Sequence, residues 1–187
     1  MVVRESLPSL KLGALGIDPP LILAPMAGYT DTAMRSVCVA AGAALAYTEV
    51  TQATALARRV PVVMHSLSAR ADERPLVGHI YGSDPEPMAI AARMIEENGA
   101  FAAIDINCGC PVRKIVAKGA GAALMRDPAL IGRIVATVKN AVSIPVMVKT
   151  RLGLAPAEHN VERVARIAQD AGADAIAVHA RYASAQH

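Results

Sequence analysis

Asn107, Cys110 and Lys149 are the residues whose types and settings point most directly to chemistry. Residues 102–106 are small, apolar or β-branched apart from Asp105, which reads as a short buried strand. The chain then runs through Asn107-Cys108-Gly109-Cys110-Pro111, and a proline without an N–H cannot continue a ladder. A core strand that ends by presenting an amide and a thiol on a sharp turn forms the rim of a site. A thiol with a reference pKa of about 8.5 stays protonated near neutrality and can act as a general acid. Asn107 offers a donor and an acceptor. Lys149 closes the apolar run Pro145-Val146-Met147-Val148, and a lysine there is costly to bury unless an anion meets it. His179 follows Ala175-Ile176-Ala177-Val178 in the same way.

The elements that position these groups are βα units. Apolar runs expected to be strands fall at 21–24, 44–49, 76–81, 102–107, 145–150 and 173–179. Helical patterns between them fall at 32–41, 51–59, 84–98, 128–141 and 160–171. Alternation of this kind indicates a parallel sheet covered by helices. Asn98-Gly99 and Ala171-Gly172 read as helix stops, where glycine accepts a left-handed backbone. The polar candidates stand at the C-terminal ends of the strands: 26–28, Glu49, 79–83, 107–110, 149–151 and 179–181. That convergence is what the active face of a (β/α)₈ barrel requires. The expected fold is therefore α/β, a TIM-type barrel of which about six units are present, with no linker or second domain in 1–187.

Composition narrows the partners. With 53% hydrophobic and 3% aromatic residues, the core is built of Ala, Val, Ile and Leu. No apolar run approaches a bilayer span, and residues 2–13 lack the apolar centre of a secretion signal. Three cysteines without an export signal are expected to be reduced thiols in the cytoplasm. A net charge of +3 permits nucleic-acid binding without demanding it. Cys108 and Cys110 lack the further ligands at compatible spacing that a zinc site needs, so no metal is expected.

In combination, the motifs resemble those of the tRNA-dihydrouridine synthases. They are Ala24-Pro25-Met26-Ala27-Gly28 with Thr30-Asp31, Tyr47-Thr48-Glu49, Tyr81-Gly82-Ser83-Asp84-Pro85, and Asp105-Ile106-Asn107 leading to Gly109-Cys110-Pro111. Gly121 with Leu124-Met125-Arg126-Asp127-Pro128, Lys149-Thr150-Arg151-Leu152-Gly153 and Val178-His179-Ala180-Arg181 follow in the family's order. The resemblance implies a flavin mononucleotide (FMN) enzyme that reduces uridine in tRNA to 5,6-dihydrouridine with NADPH or NADH. Pro25, Met26 and Ala27 would line the flavin ring, and His79, Lys149 and His179 would meet its polar edge. Cys110 matches the catalytic cysteine, which protonates C5 after hydride reaches C6. Asn107 would face the imide edge of uracil. Arg151 would meet substrate or cofactor, and Lys114 an RNA phosphate.

Some positions depart from the family's pattern. His79 stands where glutamine is usual, Cys108 where methionine is usual and Met34 where phenylalanine is usual. Ala180-Arg181-Tyr182 replaces a more usual Gly-Arg-Thr.

With six units where a closed barrel has eight, the chain is expected to be the N-terminal portion of such an enzyme. The final barrel units and the helical tRNA-binding domain would be absent. The sheet would then have two open edges and an uncovered apolar face, through which it would self-associate. Two competing expectations are an inactive fragment and another FMN barrel acting on a free pyrimidine, as dihydroorotate dehydrogenases do.

Overall fold

Pairing of the apolar runs in chain order builds one parallel sheet. The computed structural model describes residues 8–185; the start of the 2–13 stretch and the last two residues lie outside them. A short antiparallel hairpin, β1 (Leu10–Leu12) and β2 (Leu15–Ile17), turns at Gly13, whose φ is 60°. The sheet follows as β3 (Ile22–Leu23), β4 (Leu45–Tyr47), β6 (Leu76–Tyr81), β7 (Phe101–Asn107), β8 (Val146–Arg151) and β9 (Ala175–His179), neighbours in that order and all parallel. The two-residue β5 (Thr51–Gln52) pairs with the end of β6. The connecting helices are α1 (Thr32–Ala40), α2 (Ala53–Ala57), α3 (Pro61–Met64), α4 (Pro85–Asn98), α5 (Arg113–Val116), α6 (Pro128–Lys139) and α7 (Val161–Asp170). This is the curled half of a (β/α) barrel.

Strand periodicity divides the core in two. Leu76 and Ile80 of β6, Ile104 and Ile106 of β7, and Val146 and Val148 of β8 are all buried and share one cluster with α4 and α6. Val77, Ala103 and Met147, one residue out of phase, face the concave side with Leu45 and Tyr47. There they meet Leu12 and Ile17 of the hairpin, which closes the N-terminal end of the half-barrel. The expected uncovered apolar face is thus corrected: the hairpin covers its lower part. Three-residue strands are too short to show a period, so sequence alone did not reveal the hairpin.

The helices start and stop for local reasons. Asp31, Asp84 and Asp127 each accept a backbone N–H of the first turn of α1, α4 and α6, which replaces a hydrogen bond missing at every helix N-terminus. The helix expected at 51–59 is corrected to β5 followed by the five-residue α2. Thr51 registers beside Ile80, and that pairing overrides the helical pattern of its first residues. Arg35 of α1 and Glu73, between α3 and β6, form a buried two-point ion pair, with Nη2–Oε1 at 3.0 Å and Nε–Oε2 at 3.2 Å. Arg35 also donates to the carbonyls of Thr30 and Ser68. This hub ties the start of α1 to the loop before β6.

Candidate active site

Two turns at the C-terminal ends of β3 and β7 form the site, and both are held by side chains. In the first, the buried Thr30 brackets Met26: its Oγ1 accepts from the Met26 N–H at 3.2 Å and donates to the Met26 carbonyl at 3.1 Å. Glu49, at the end of β4, accepts the Gly28 N–H. Gly28 has φ of 79°, a left-handed conformation that a side chain would strain. Pro25, Met26 and Ala27 therefore sit on a loop fixed from both sides.

In the second turn, Asn107 Oδ1 accepts the N–H groups of Gly109 at 3.1 Å and Cys110 at 2.9 Å. An amide that folds the backbone onto itself in this way is a strong turn former. Arg151 Nε donates to the Gly109 carbonyl at 2.8 Å and Nη1 to the Tyr182 carbonyl at 3.2 Å. The Cys110 carbonyl accepts from Ala122 N–H at 2.9 Å. Gly121, at φ 61°, passes so close that an added Cβ would lie 2.7 Å from the Cys110 carbonyl oxygen. The 121–128 motif thus begins by buttressing the thiol-bearing turn.

This geometry corrects the expectation that Asn107 offers a ligand both a donor and an acceptor. Its oxygen is taken by two backbone N–H groups. Only Nδ2 remains, and one of its hydrogens faces His79 Nε2 at 2.9 Å.

The concave side of the sheet carries the charges. His79 and Asp105 are register partners on β6 and β7, 1% and 0% exposed, with Nδ1 2.7 Å from Oδ2. Tyr47 stands edge-on to the His79 ring. Burial pushes the Tyr47 hydroxyl's pKa far up, and the Asp105 carboxylate adds to the shift. Lys149 registers beside Asn107. Burial lowers its pKa, Asp105 opposes that shift and Arg151 reinforces it. The Arg151 pKa is also lowered, first by burial, with Cys110 raising it and Arg181 lowering it. The Cys108 thiol is fully buried and its pKa is driven far up by desolvation, so it is inert as an acid or nucleophile. Cys110 is partly exposed.

These side chains enclose one cavity of about 470 Å³. Pro25, Met26, Ala27, His79, Asn107, Cys110, Lys149, Arg151 and His179 all line it. Lys114 does not: it is exposed on α5, just after the cysteine turn. Nine of the ten residues expected from sequence are thus brought together from the ends of five strands. Sequence reasoning passed over Asp105, although an acid at an inward position of an apolar strand is as anomalous as Lys149. It also gave no positioning role to Glu49, Thr30 or Gly121. Among the described residues no three His, Cys, Asp or Glu side chains are grouped to hold a metal, and no helix is long and apolar enough to cross a membrane.

The family model for dihydrouridine synthase (Dus) matches residues 22–187. The chain belongs to the dihydrouridine synthase family. A Mycobacterium tuberculosis protein named "Probable tRNA-dihydrouridine synthase" is 40% identical over 190 residues, covering 96% of this chain and 49% of that protein. The tRNA-dihydrouridine synthase B of Xanthomonas axonopodis pv. citri is 41% identical over 172 residues, covering 92% of this chain and 52% of its own. That of Escherichia coli K12 is 39% identical over 178 residues, covering 92% and 53%. The chain therefore spans about half the length of these curated relatives. Among solved structures, a 2-naphthoyl-CoA reductase complex superposes with a TM-score of 0.66 at 10% identity, covering 95% of this chain and 40% of that one. A 6-hydroxypseudooxynicotine amine oxidase from Pseudomonas geniculata N1 gives 0.63 at 12%, covering 95% and 38%. At such identities the likeness is one of fold.

Proposed function

We propose that this chain supplies the ring-binding and proton-donating half of a flavin-dependent tRNA-dihydrouridine synthase, which reduces uridine in tRNA. One observation carries the reading. The cavity around Cys110 has a cationic wall of Lys149 and Arg151 and no carboxylate in its lining. Such a donor set suits an acceptor-rich ring system that gains negative charge on reduction, so the residues present fit the ring of FMN. Pro25, Met26 and Ala27 provide the apolar wall for the ring, and Lys149 and His179 belong to its polar surroundings. The ring nitrogens of His79 face Asn107 and Asp105, so His79 acts on the ring's edge through the Asn107 amide. A closed barrel usually holds the phosphate of a ligand in the loops after the last two of its eight strands, and the described residues supply six parallel strands in sequence, β3, β4, β6, β7, β8 and β9.

When bound, FMN supplies a hydride to C6 of the uracil ring and is recharged by NADPH or NADH. This chain's own part is to orient the base and deliver a proton. The Cys110 thiol, on a turn fixed by Asn107, Arg151 and Gly121, protonates C5. Asn107 presents an N–H to an acceptor of the bound ring system. Lys149 stabilises negative charge that develops beside it, by a preorganised field rather than by solvent rearrangement. A uridine must leave the tRNA stack to reach the cavity, and the cost of extrusion contributes to selectivity. Lys114 on α5 is placed to meet a phosphate of the tRNA backbone. Action on tRNA sets the place of work in the cytoplasm. Leu21 and Val178, 51% and 46% exposed beside or on the edge strands β3 and β9, provide the apolar contact for self-association of this segment.

The test is dihydrouridine formation on tRNA by a full-length chain carrying this segment. The parent should convert uridine with NADPH and FMN. A flavin-loaded parent that leaves every tRNA uridine unreduced would refute the reading.

A further inference from the structure

Beside Asn107 on the concave face lie a buried acid, Asp105, and a buried imidazole, His79. Asp105 is fully buried; the Tyr47 hydroxyl hydrogen-bonds to it and His79 Nδ1 faces it, but neither contact is well aligned. A carboxylate in that state is costly, and its position on β7, two residues before Asn107, puts it on the same concave face.

The hydrogen bonds determine the arrangement one atom at a time. The N–H groups of Gly109 and Cys110 can only donate, so the Asn107 atom they meet is its oxygen. The other end of the amide, which faces His79 Nε2 at 2.9 Å, is then the NH₂ group. That group can only donate, so Nε2 carries no proton and Nδ1 does. Nδ1–H lies 2.7 Å from Asp105 Oδ2, the contact being bent away from the N–H axis. No amide flip or alternative tautomer satisfies the set, because a proton on Nε2 would face the two hydrogens of Nδ2.

We propose that Asp105 and His79 are positioning residues that lock the Asn107 amide, leaving one N–H as its whole polar offering to the cavity. Asp105 selects the His79 tautomer, His79 accepts one Asn107 hydrogen, and Asn107 in turn holds the Cys110 N–H. The bound molecule must therefore place an acceptor atom, a carbonyl oxygen or an unprotonated ring nitrogen, against Asn107. A ligand with an N–H at that point is rejected, since two donors would meet in a water-poor site. Only the identity of that ligand rests on the proposed uridine reduction; the lock itself does not. Tyr47 and Lys149, whose ionisation senses Asp105, complete the ring of groups around the acid.

Long-range ¹H–¹⁵N spectra of the 187-residue chain test the lock without flavin or tRNA. The His79 signals, identified by their loss in His79→Gln, should show protonated Nδ1 and unprotonated Nε2 at neutral pH. An Nε2–H tautomer, or a doubly protonated ring, overturns the proposal. Activity in the full-length chain gives a second reading. Glutamine can accept from Asn107 and donate to Asp105, so His79→Gln should keep kcat/KM within about threefold, whereas His79→Leu strands an amide hydrogen and should lose about tenfold or more. Equal activity of the Leu variant and the parent overturns the proposal, as does a Gln variant no better than Leu. A correct tautomer in an enzyme that reduces no uridine would instead sink the functional reading and leave the lock standing.

Discussion

The two faces of the central sheet are made by alternate residues of the same strands, yet they are built on opposite rules. The convex face, under α4 and α6, is built of Leu76 and Ile80, Ile104 and Ile106, and Val146 and Val148, with Gly78 making room for Ile95 of α4 and Thr150 ending β8. The concave face starts apolar at Tyr47, Val77, Ala103 and Met147, then turns polar at His79 and Asp105, and ends at Asn107, Lys149, Arg151 and His179. Burial is nearly as deep on both. Apolar packing on the convex side provides the stability against which the concave side keeps desolvated charge. On the proposed reading the inner residues serve a ligand, and stability and activity should therefore respond separately to substitutions one residue apart.

The largest effect is expected at the thiol. Cys110→Ala should lower dihydrouridine formation by about a thousandfold, within the range general acid catalysis supplies, while Cys108→Ala retains most activity. The thermal melt of the Cys110→Ala variant should stay near the parent's. Rates on tRNA in the full-length chain check this, and equal rates for the Cys110→Ala protein and its parent would remove the thiol from the mechanism.

On the convex face the pattern should invert. Ile106→Ala truncates a fully buried side chain and should cost about 3 kcal/mol of stability. The cavity on the other side of the strand should be left unaltered. Urea denaturation measures the loss, and a cost under about 1 kcal/mol would contradict close packing against the helices.

Gly121→Ala probes the join between the faces. The left-handed backbone penalty of about 1–2 kcal/mol comes with a contact against the Cys110 carbonyl. Activity should therefore fall more than stability does. A variant with parental rates would show that the Cys110 turn does not depend on its buttress.

The contrast between the faces also explains what could be read in advance. Lys149, His179 and Asn107 were legible because each interrupts or ends an apolar run, and a desolvated polar group at a strand end is anomalous in any context. The family motifs then assigned roles that composition could not. Asp105 carries the same anomaly but stands beside a more conspicuous thiol and amide. The spent oxygen of Asn107 was not legible, because it depends on a turn geometry that residue types leave open. The Arg35–Glu73 hub joins residues 38 apart in sequence, with no local pattern to mark the partnership. The short β5 was hidden because pairing with β6, not local propensity, decides its conformation.

The smallest effect is the most telling for the claim that the concave charges serve a ligand. Burial lowers the Lys149 pKa, so the charged form destabilises the fold. That penalty is full below the folded pKa and fades as pH rises toward the unfolded value of about 10.4. Lys149→Met keeps the stem and removes the charge. At neutral pH the melting temperature of the ligand-free chain should rise, by an amount solvent screening of the half-buried ammonium keeps small, and FMN affinity in the full-length chain should fall. A clear drop in melting temperature with unchanged flavin affinity would show that Lys149 holds the fold together, and would contradict the account.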